Sequence, residues 1–144
     1  KGLKEEFMEK IKKKILVIDD DEGHLITAKE LLEDAGYEVI THHNWFGSTN
    51  IIKRIQPDLV LLDINMPALP GDDLSVILRS NSKIKDVPIV FYSSTDEDSL
   101  RKAAFEHGVR GYICKGDVFN LRRKIAAYLC RSQNNLFQTN LTLA

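Results

Sequence analysis

Residues 58–67 read DLVLLDINMP. Four consecutive apolar residues, Leu59, Val60, Leu61 and Leu62, stop at the carboxylate of Asp63, and Asn65 and a Met66-Pro67 turn follow. An apolar run this short, bounded by turn residues, predicts a buried strand. Strands buried on both faces are typical of parallel sheets covered by helices. Asp63 then falls at the carboxyl end of its strand, on the rim where open α/β sheets place their ligands. A carboxylate at the lip of an apolar strand costs stability unless something uses it. Asp63 is therefore a candidate nucleophile toward phosphorus.

Outward from this strand the chain alternates between two periods. Residues 15–18 (ILVI) predict a first strand, stopped by Asp19, Asp20 and Asp21. Leu25, Ala28, Leu32 and Ala35 share one helical face, which Gly36 closes. Residues 37–41 predict a second, shorter strand. A helix over 48–56 is carried by Ile51, Ile52 and Ile55 and stopped by Pro57. After Gly71 a helix carries Leu74, Ile77 and Leu78, and Pro88 opens the strand IVFY at 89–92. Thr95 or Asp96 caps a helix through Leu100, Ala103 and Ala104 that ends at Gly108, and GYIC at 111–114 is the fifth strand. Val118, Leu121, Ile125 and Tyr128 form the last helix's apolar stripe, with Arg122, Arg123 and Lys124 facing outward. Five strands alternating with five helices predict a doubly wound parallel α/β sheet with right-handed crossovers and helices on both faces. The domain spans residues 14–130. Residues 1–13, with Leu3, Phe7 and Ile11 at helical spacing, form an N-terminal extension or linker, and the polar residues 131–144 a tail or linker.

Composition narrows the function. The 144 residues are 43% hydrophobic and 28% charged, with a net charge of −1, so no bulk field draws the chain to nucleic acid or an anionic membrane. No apolar run approaches bilayer-spanning length, and a cytoplasmic location follows as the expectation. Cys114 and Cys130 make neither a disulfide framework nor a metal site, and Cys114 reads as a small core residue. In the cytoplasm the sequon Asn140-Leu141-Thr142 is a chance match. His24, His42, His43 and His107 lack metal-ligand spacing and are expected at the surface or rim. Trp45 and Phe46 fall in a loop, covering the sheet edge or meeting a partner.

Chemistry-bearing residues fall at one place in this pattern. Asp19, Asp20, Asp63, Ser93 and Lys115 each sit at or just past a strand end. Parallel strands end on one rim, so the topology gathers them there. Crowded carboxylates raise one another's pKa unless a cation intervenes, and a hard divalent ion such as Mg²⁺ suits carboxylate and carbonyl oxygens. Ser93 offers a hydroxyl donor and Lys115 a mobile point charge, both suited to phosphoryl oxygens. Taken singly, each residue has a plainer role: acids suit a helix N-terminus, a serine a cap, and a lysine a solvated surface. The specificity lies in their combined order. No Gly-rich phosphate cradle follows the first strand.

In this order the sequence resembles the receiver domains of two-component response regulators. The resemblance covers about residues 14–129 and is carried by ILVIDDDE, DLVLLDINMPALPGDDL, PIVFYSS and GYICKG. It implies a flavodoxin-like sheet of order 2-1-3-4-5 and a signalling phosphoacceptor that is not an enzyme in the ordinary sense. Asp63 takes a phosphoryl group from a sensor histidine kinase or phosphotransfer protein. Asp20, Asp63 and the backbone carbonyl of Asn65 ligate Mg²⁺, with Asp19 acting largely through a water. Ser93 and Tyr112 are the switch residues, Lys115 pairs with the acceptor or its phosphate, and Asn65 and Thr95 tune the phosphoryl lifetime. The switched surface is that of helix 4, strand 5 and helix 5 in the predicted order, through which an effector binds or the domain dimerises. The resemblance brings in no nucleic acid and no membrane insertion.

Three residues depart from the family pattern: Gly116 stands where a proline usually follows the lysine, Ser94 where alanine is usual, and Pro70 where an acid is common. Two rival functions remain on the sequence. One is a phosphorylation-independent interaction module of the same fold, which Gly116 favours. The other is a haloacid-dehalogenase-like phosphatase, with Asp19 as nucleophile and Asp21 as acid. It leaves the Asp63 segment unexplained, has no acidic pair after Lys115 and lacks a cap insertion.

Overall fold

A computed structural model of the chain describes residues 11–65 and 87–142, with side chains as far as residue 130. The elements in order are β1 (Lys14–Ile18), α1 (Glu22–Asp34), β2 (Glu38–His42), α2 (Ser48–Ile55), β3 (Leu59–Leu62), β4 (Ile89–Ser93), α3 (Glu97–His107), β5 (Gly111–Cys114) and α4 (Val118–Thr142). The strands form one five-stranded sheet, β2-β1-β3-β4-β5, with every neighbouring pair parallel. This is the order and hand-over of layers that the sequence predicts. The predicted helix after Gly71, the departure at Pro70 and the N-terminal residues 1–10 lie outside the described residues.

Side-chain alternation sorts the strands onto two cores. Ile15, Val17, Leu59, Leu61, Val90 and Tyr92 face α1 and α4, meeting Leu25, Ala28, Leu32, Leu121, Ile125 and Leu129. Leu16, Ile18, Val60, Leu62, Ile89 and Phe91 face α2 and α3, meeting Ile52, Leu100 and Ala104. The odd–even split within β1 and β3 follows from the two-residue period of a strand. It also explains why those strands read as unbroken apolar runs: both faces are buried.

Helix ends follow the punctuation of the sequence. Asp21 caps α1 through a 3.0 Å hydrogen bond from the His24 backbone N–H, and Asp96 caps α3 in the same way through Ser99. Gly36 and Gly108 take positive φ after α1 and α3. The backbone stays helical through Thr142, past the predicted tail boundary. Nothing between residues 118 and 142 stops it, since that stretch contains neither glycine nor proline. Cys114 and Trp45 pack at the edge of the second core, whereas Phe46 is 73% exposed. Among the described residues no helix is long and apolar enough to cross a membrane.

Candidate functional site

The sheet's hydrogen-bond ladders run one residue beyond the strands, and this aligns the rim. The N–H of Asp19 donates to His42 O (3.1 Å), that of Asp63 to Ile18 O (3.0 Å) and that of Lys115 to Ser93 O (2.9 Å). The backbone of each rim residue is therefore fixed by its neighbouring strand before any side chain is considered.

Asp19 and Asp63 are then held alike. Each accepts at Oδ1 from the backbone N–H two residues on, Asp19 from Asp21 (3.0 Å) and Asp63 from Asn65 (2.9 Å). This is the local turn that aspartate favours. Each leaves Oδ2 to the ammonium of Lys115, at 2.5 Å from Asp19 and 3.0 Å from Asp63. All three side chains are below 10% exposed. Burial pulls the Lys115 pKa down, but hydrogen bonds and charge from the two carboxylates outweigh it and hold the ammonium above its usual value. For Asp19, burial raises the pKa above the usual carboxylate value, while Lys115 and the Asp21 N–H oppose the rise. The Lys115 ammonium also lies 5.5 Å from the centroid of the Tyr92 ring, and burial raises that phenol's pKa.

A second group lies beside the first. Ser93, fully buried, has its Oγ 2.8 Å from Asn65 Nδ2 and 3.0 Å from Thr95 Oγ1, and Asn65 Nδ2 also donates to Thr95 Oγ1 at 2.6 Å. The three side chains close a hydrogen-bonded triangle with the serine hydroxyl at its buried corner. On β5, the Tyr112 hydroxyl donates to Glu97 Oε1 (3.1 Å) and accepts from Arg101 Nε (3.1 Å), while Lys124 stands 4.9 Å from its ring centroid. From α4, Tyr128 Oη bonds the Tyr112 backbone N–H and carbonyl at 3.2 and 3.3 Å. The approach requires Gly111, since a Cβ there would strike the Tyr128 ring.

Of the residues singled out by sequence, the fold thus joins Asp19, Asp63 and Lys115 directly, and Ser93 with Asn65 and Thr95. Asp20 is exposed and stands outside the group whose ligand atoms lie within 4.8 Å of one another; among the described residues that group is Asp19, His24 and Asp63. His24 is the participant the sequence did not single out. It is at the rim, as expected, yet its Nδ1 lies 2.9 Å from Lys115 Nζ and 3.6 Å from Asp19 Oδ2. Sequence spacing carries no signal for this, because the first turn of α1 brings His24 back over strand ends distant in the chain. At the first departure, Gly116 has φ +107°, which proline cannot adopt, and no peptide bond among the described residues is cis. Ser94, the second departure, is exposed.

The buried acids fit a divalent cation by donor chemistry: two carboxylates on neighbouring strands, each with an oxygen turned to a positive charge, are hard ligands that need one. The response regulator receiver domain family matches residues 15–126. The chain is 31% identical over 105 residues to protein RcaC of Microchaete diplosiphon, covering 73% of this chain but only 16% of RcaC. It is 26% identical over 107 residues to the polar-differentiation response regulator DivK of Brucella anthropi, covering 72% of this chain and 84% of DivK. Among solved structures, a two-component response regulator from Clostridium difficile superposes with a TM-score of 0.71 at 26% identity, over 83% of this chain and 98% of that one. The chemotaxis response regulator CheY4 of Vibrio cholerae shares the fold, with a TM-score of 0.72 at 23% identity over 82% of this chain and 99% of its own.

The chain belongs to the response regulator receiver domain family. Members of this family are signalling phosphoacceptors of the two-component kind rather than catalytic enzymes, and the class implies a histidine kinase partner. The dehalogenase-like phosphatase is set aside, because the family match spans all five strands and includes the Asp63 segment that reading left over.

Proposed function

We propose that Asp63 accepts the phosphoryl group of a phosphohistidine on a sensor kinase or phosphotransfer protein. A carboxylate oxygen of Asp63 forms the new P–O bond as the P–N bond breaks, and the imidazole leaves with the electron pair and takes up a proton. Asp19, Asp20, Asp63 and the Asn65 carbonyl would hold Mg²⁺, which would supply positive charge against which the phosphoryl oxygens can approach. Lys115 stays at the carboxylate and meets a phosphoryl oxygen, as a mobile ammonium can. The observation that carries this reading is the shared ammonium: Lys115 Nζ touches Oδ2 of both Asp19 and Asp63, so one positive charge already bridges the two strand ends.

The new phosphoryl group adds charge and acceptor oxygens at the rim. Ser93 leaves Asn65 and Thr95 to donate to one of those oxygens, which gives those two residues a lever on phosphoryl lifetime. Tyr112 follows by leaving Glu97 and Arg101. The face of α3, β5 and α4 (the fourth helix, fifth strand and last helix of the sequence) changes shape for an effector or a second copy. This is a local charge event biasing a two-state element.

Incubation with acetyl phosphate and Mg²⁺, read by intact mass, tests the proposal. One labile phosphoryl adduct is expected, dependent on Mg²⁺ and absent from Asp63→Asn. A chain that takes no adduct but still binds its partner is the phosphorylation-independent module instead.

A further inference from the structure

The ammonium of Lys115 has three N–H donors and no acceptor. Its three close partners are Asp19 Oδ2, Asp63 Oδ2 and His24 Nδ1, at 2.5, 3.0 and 2.9 Å. An imidazole nitrogen facing a group that can only donate must accept, so His24 Nδ1 turns its lone pair toward the ammonium. The same lone pair is what an imidazole offers to a metal ion. Two carboxylate oxygens and one imidazole nitrogen thus converge on a single cation, and these ligand atoms all lie within 4.8 Å of one another.

The position of His24 is built. Asp21 caps α1 through the His24 backbone N–H, which fixes the third residue of the helix directly over the rim. Gly23 gives the turn its room: a Cβ there would sit 3.1 Å from Asp21 Oδ1. The ring is 48% exposed, so the cluster is open to an ion from solvent.

Mg²⁺ prefers oxygen and keeps its waters, whereas imidazole suits first-row transition metals, whose affinity for nitrogen-containing sites rises from Mn²⁺ through Co²⁺ to Ni²⁺ and Cu²⁺. We infer that His24 Nδ1 is a ligand of the rim cation site, and that it tilts the site toward first-row transition metal ions at the expense of Mg²⁺. The inference rests on the proposed role of Asp19 and Asp63 as cation ligands and adds a nitrogen donor to it. The incoming ion competes with the Lys115 ammonium for the single lone pair of His24 Nδ1, whereas each aspartate oxygen has lone pairs enough to serve both.

Isothermal titration of the full chain with Mg²⁺ and with Co²⁺, in wild type, His24→Ala and Asp63→Asn, tests it. The visible absorption of bound Co²⁺ serves as a second readout. The expected result is that His24→Ala lowers the ratio of Co²⁺ to Mg²⁺ affinity about tenfold or more and changes the Co²⁺ spectrum, while Asp63→Asn weakens both metals. An unchanged ratio and spectrum in His24→Ala, with Asp63→Asn still weakening both, overturns the nitrogen ligand and leaves the carboxylate site standing. Co²⁺ binding that survives both substitutions lies elsewhere on the chain and overturns it too. Failure of either metal to bind the wild type overturns the carboxylate site together with this inference.

Discussion

Two polar clusters flank β5, and they differ in almost everything but their ingredients. At the end of the strand Lys115 joins Asp19 and Asp63, all below 10% exposed. On its outer side Tyr112 joins Arg101 and Glu97, whose side chains are 57% and 59% exposed. Each cluster has a cation, a carboxylate and a further hydrogen-bonding group. In the first, the charged side chains are nearly buried, so each charge depends on its protein partners and removing one leaves others stranded. In the second, water replaces any lost partner, and the contacts hold a conformation without holding the fold. The proposed roles, a rim that stays assembled and a tyrosine that moves, fit these opposite degrees of burial.

Removing the buried charge is the largest way to break this contrast. Lys115→Ala strands two carboxylates and should cost about 3 kcal/mol in chemical denaturation at neutral pH, toward the low end for a broken buried pair because Asp19 can take up a proton. The loss should shrink as pH falls, for the same reason. A wild-type-sized midpoint in this variant would contradict the burial argument. The alkaline limb carries the same test. Lys115 has a folded-state pKa above its unfolded value, so its stabilisation is full below the unfolded value and is lost as pH rises through the folded one. Wild type should therefore lose stability on the alkaline side faster than Lys115→Met in a pH series.

The next effect comes from the backbone that holds the lysine. Gly116→Pro forces φ from +107° to near −65° and should cost about 1–3 kcal/mol in thermal or chemical unfolding. Gly116→Ala should cost less, since a Cβ there meets nothing within 4 Å and only the positive φ is penalised. Proline tolerated without loss would mean that the loop takes another conformation. A smaller effect belongs to the strap on β5: Tyr128→Phe removes the hydroxyl from the Tyr112 backbone and should destabilise by about 1 kcal/mol. Smallest of all, Arg101→Ala should leave the denaturation midpoint in place while loosening Tyr112, read as broader motion of its ring in NMR spectra. A large midpoint shift there would erase the distinction between the two clusters.

The sequence made one of these clusters legible and hid the other. Asp19, Asp63 and Lys115 each follow an apolar run, and parallel strands end together, so period and topology alone bring them to one rim. The parallel sheet and the two-faced core followed from the same alternation, while the strand order came with the resemblance. Glu97 and Arg101 gave no such signal, because a charged pair four apart on an exposed helix reads as ordinary surface. Their hold on Tyr112 depends on how α3 packs beside β5. His24 was obscured in the same way, by a contact across 91 residues of chain. The polar tail or linker at 131–144 is helical as far as Thr142, since no glycine or proline stops α4.

The central claim is that Asp63, and neither acid of the first strand's end, carries the phosphoryl group. Borohydride reduction of the protein after acetyl phosphate treatment converts an aspartyl phosphate to homoserine, which peptide mass spectrometry locates. The account predicts homoserine at residue 63 alone, with Asp19→Asn slowing its formation without relocating it. Homoserine at residue 19 or 20 in the wild-type chain would contradict it.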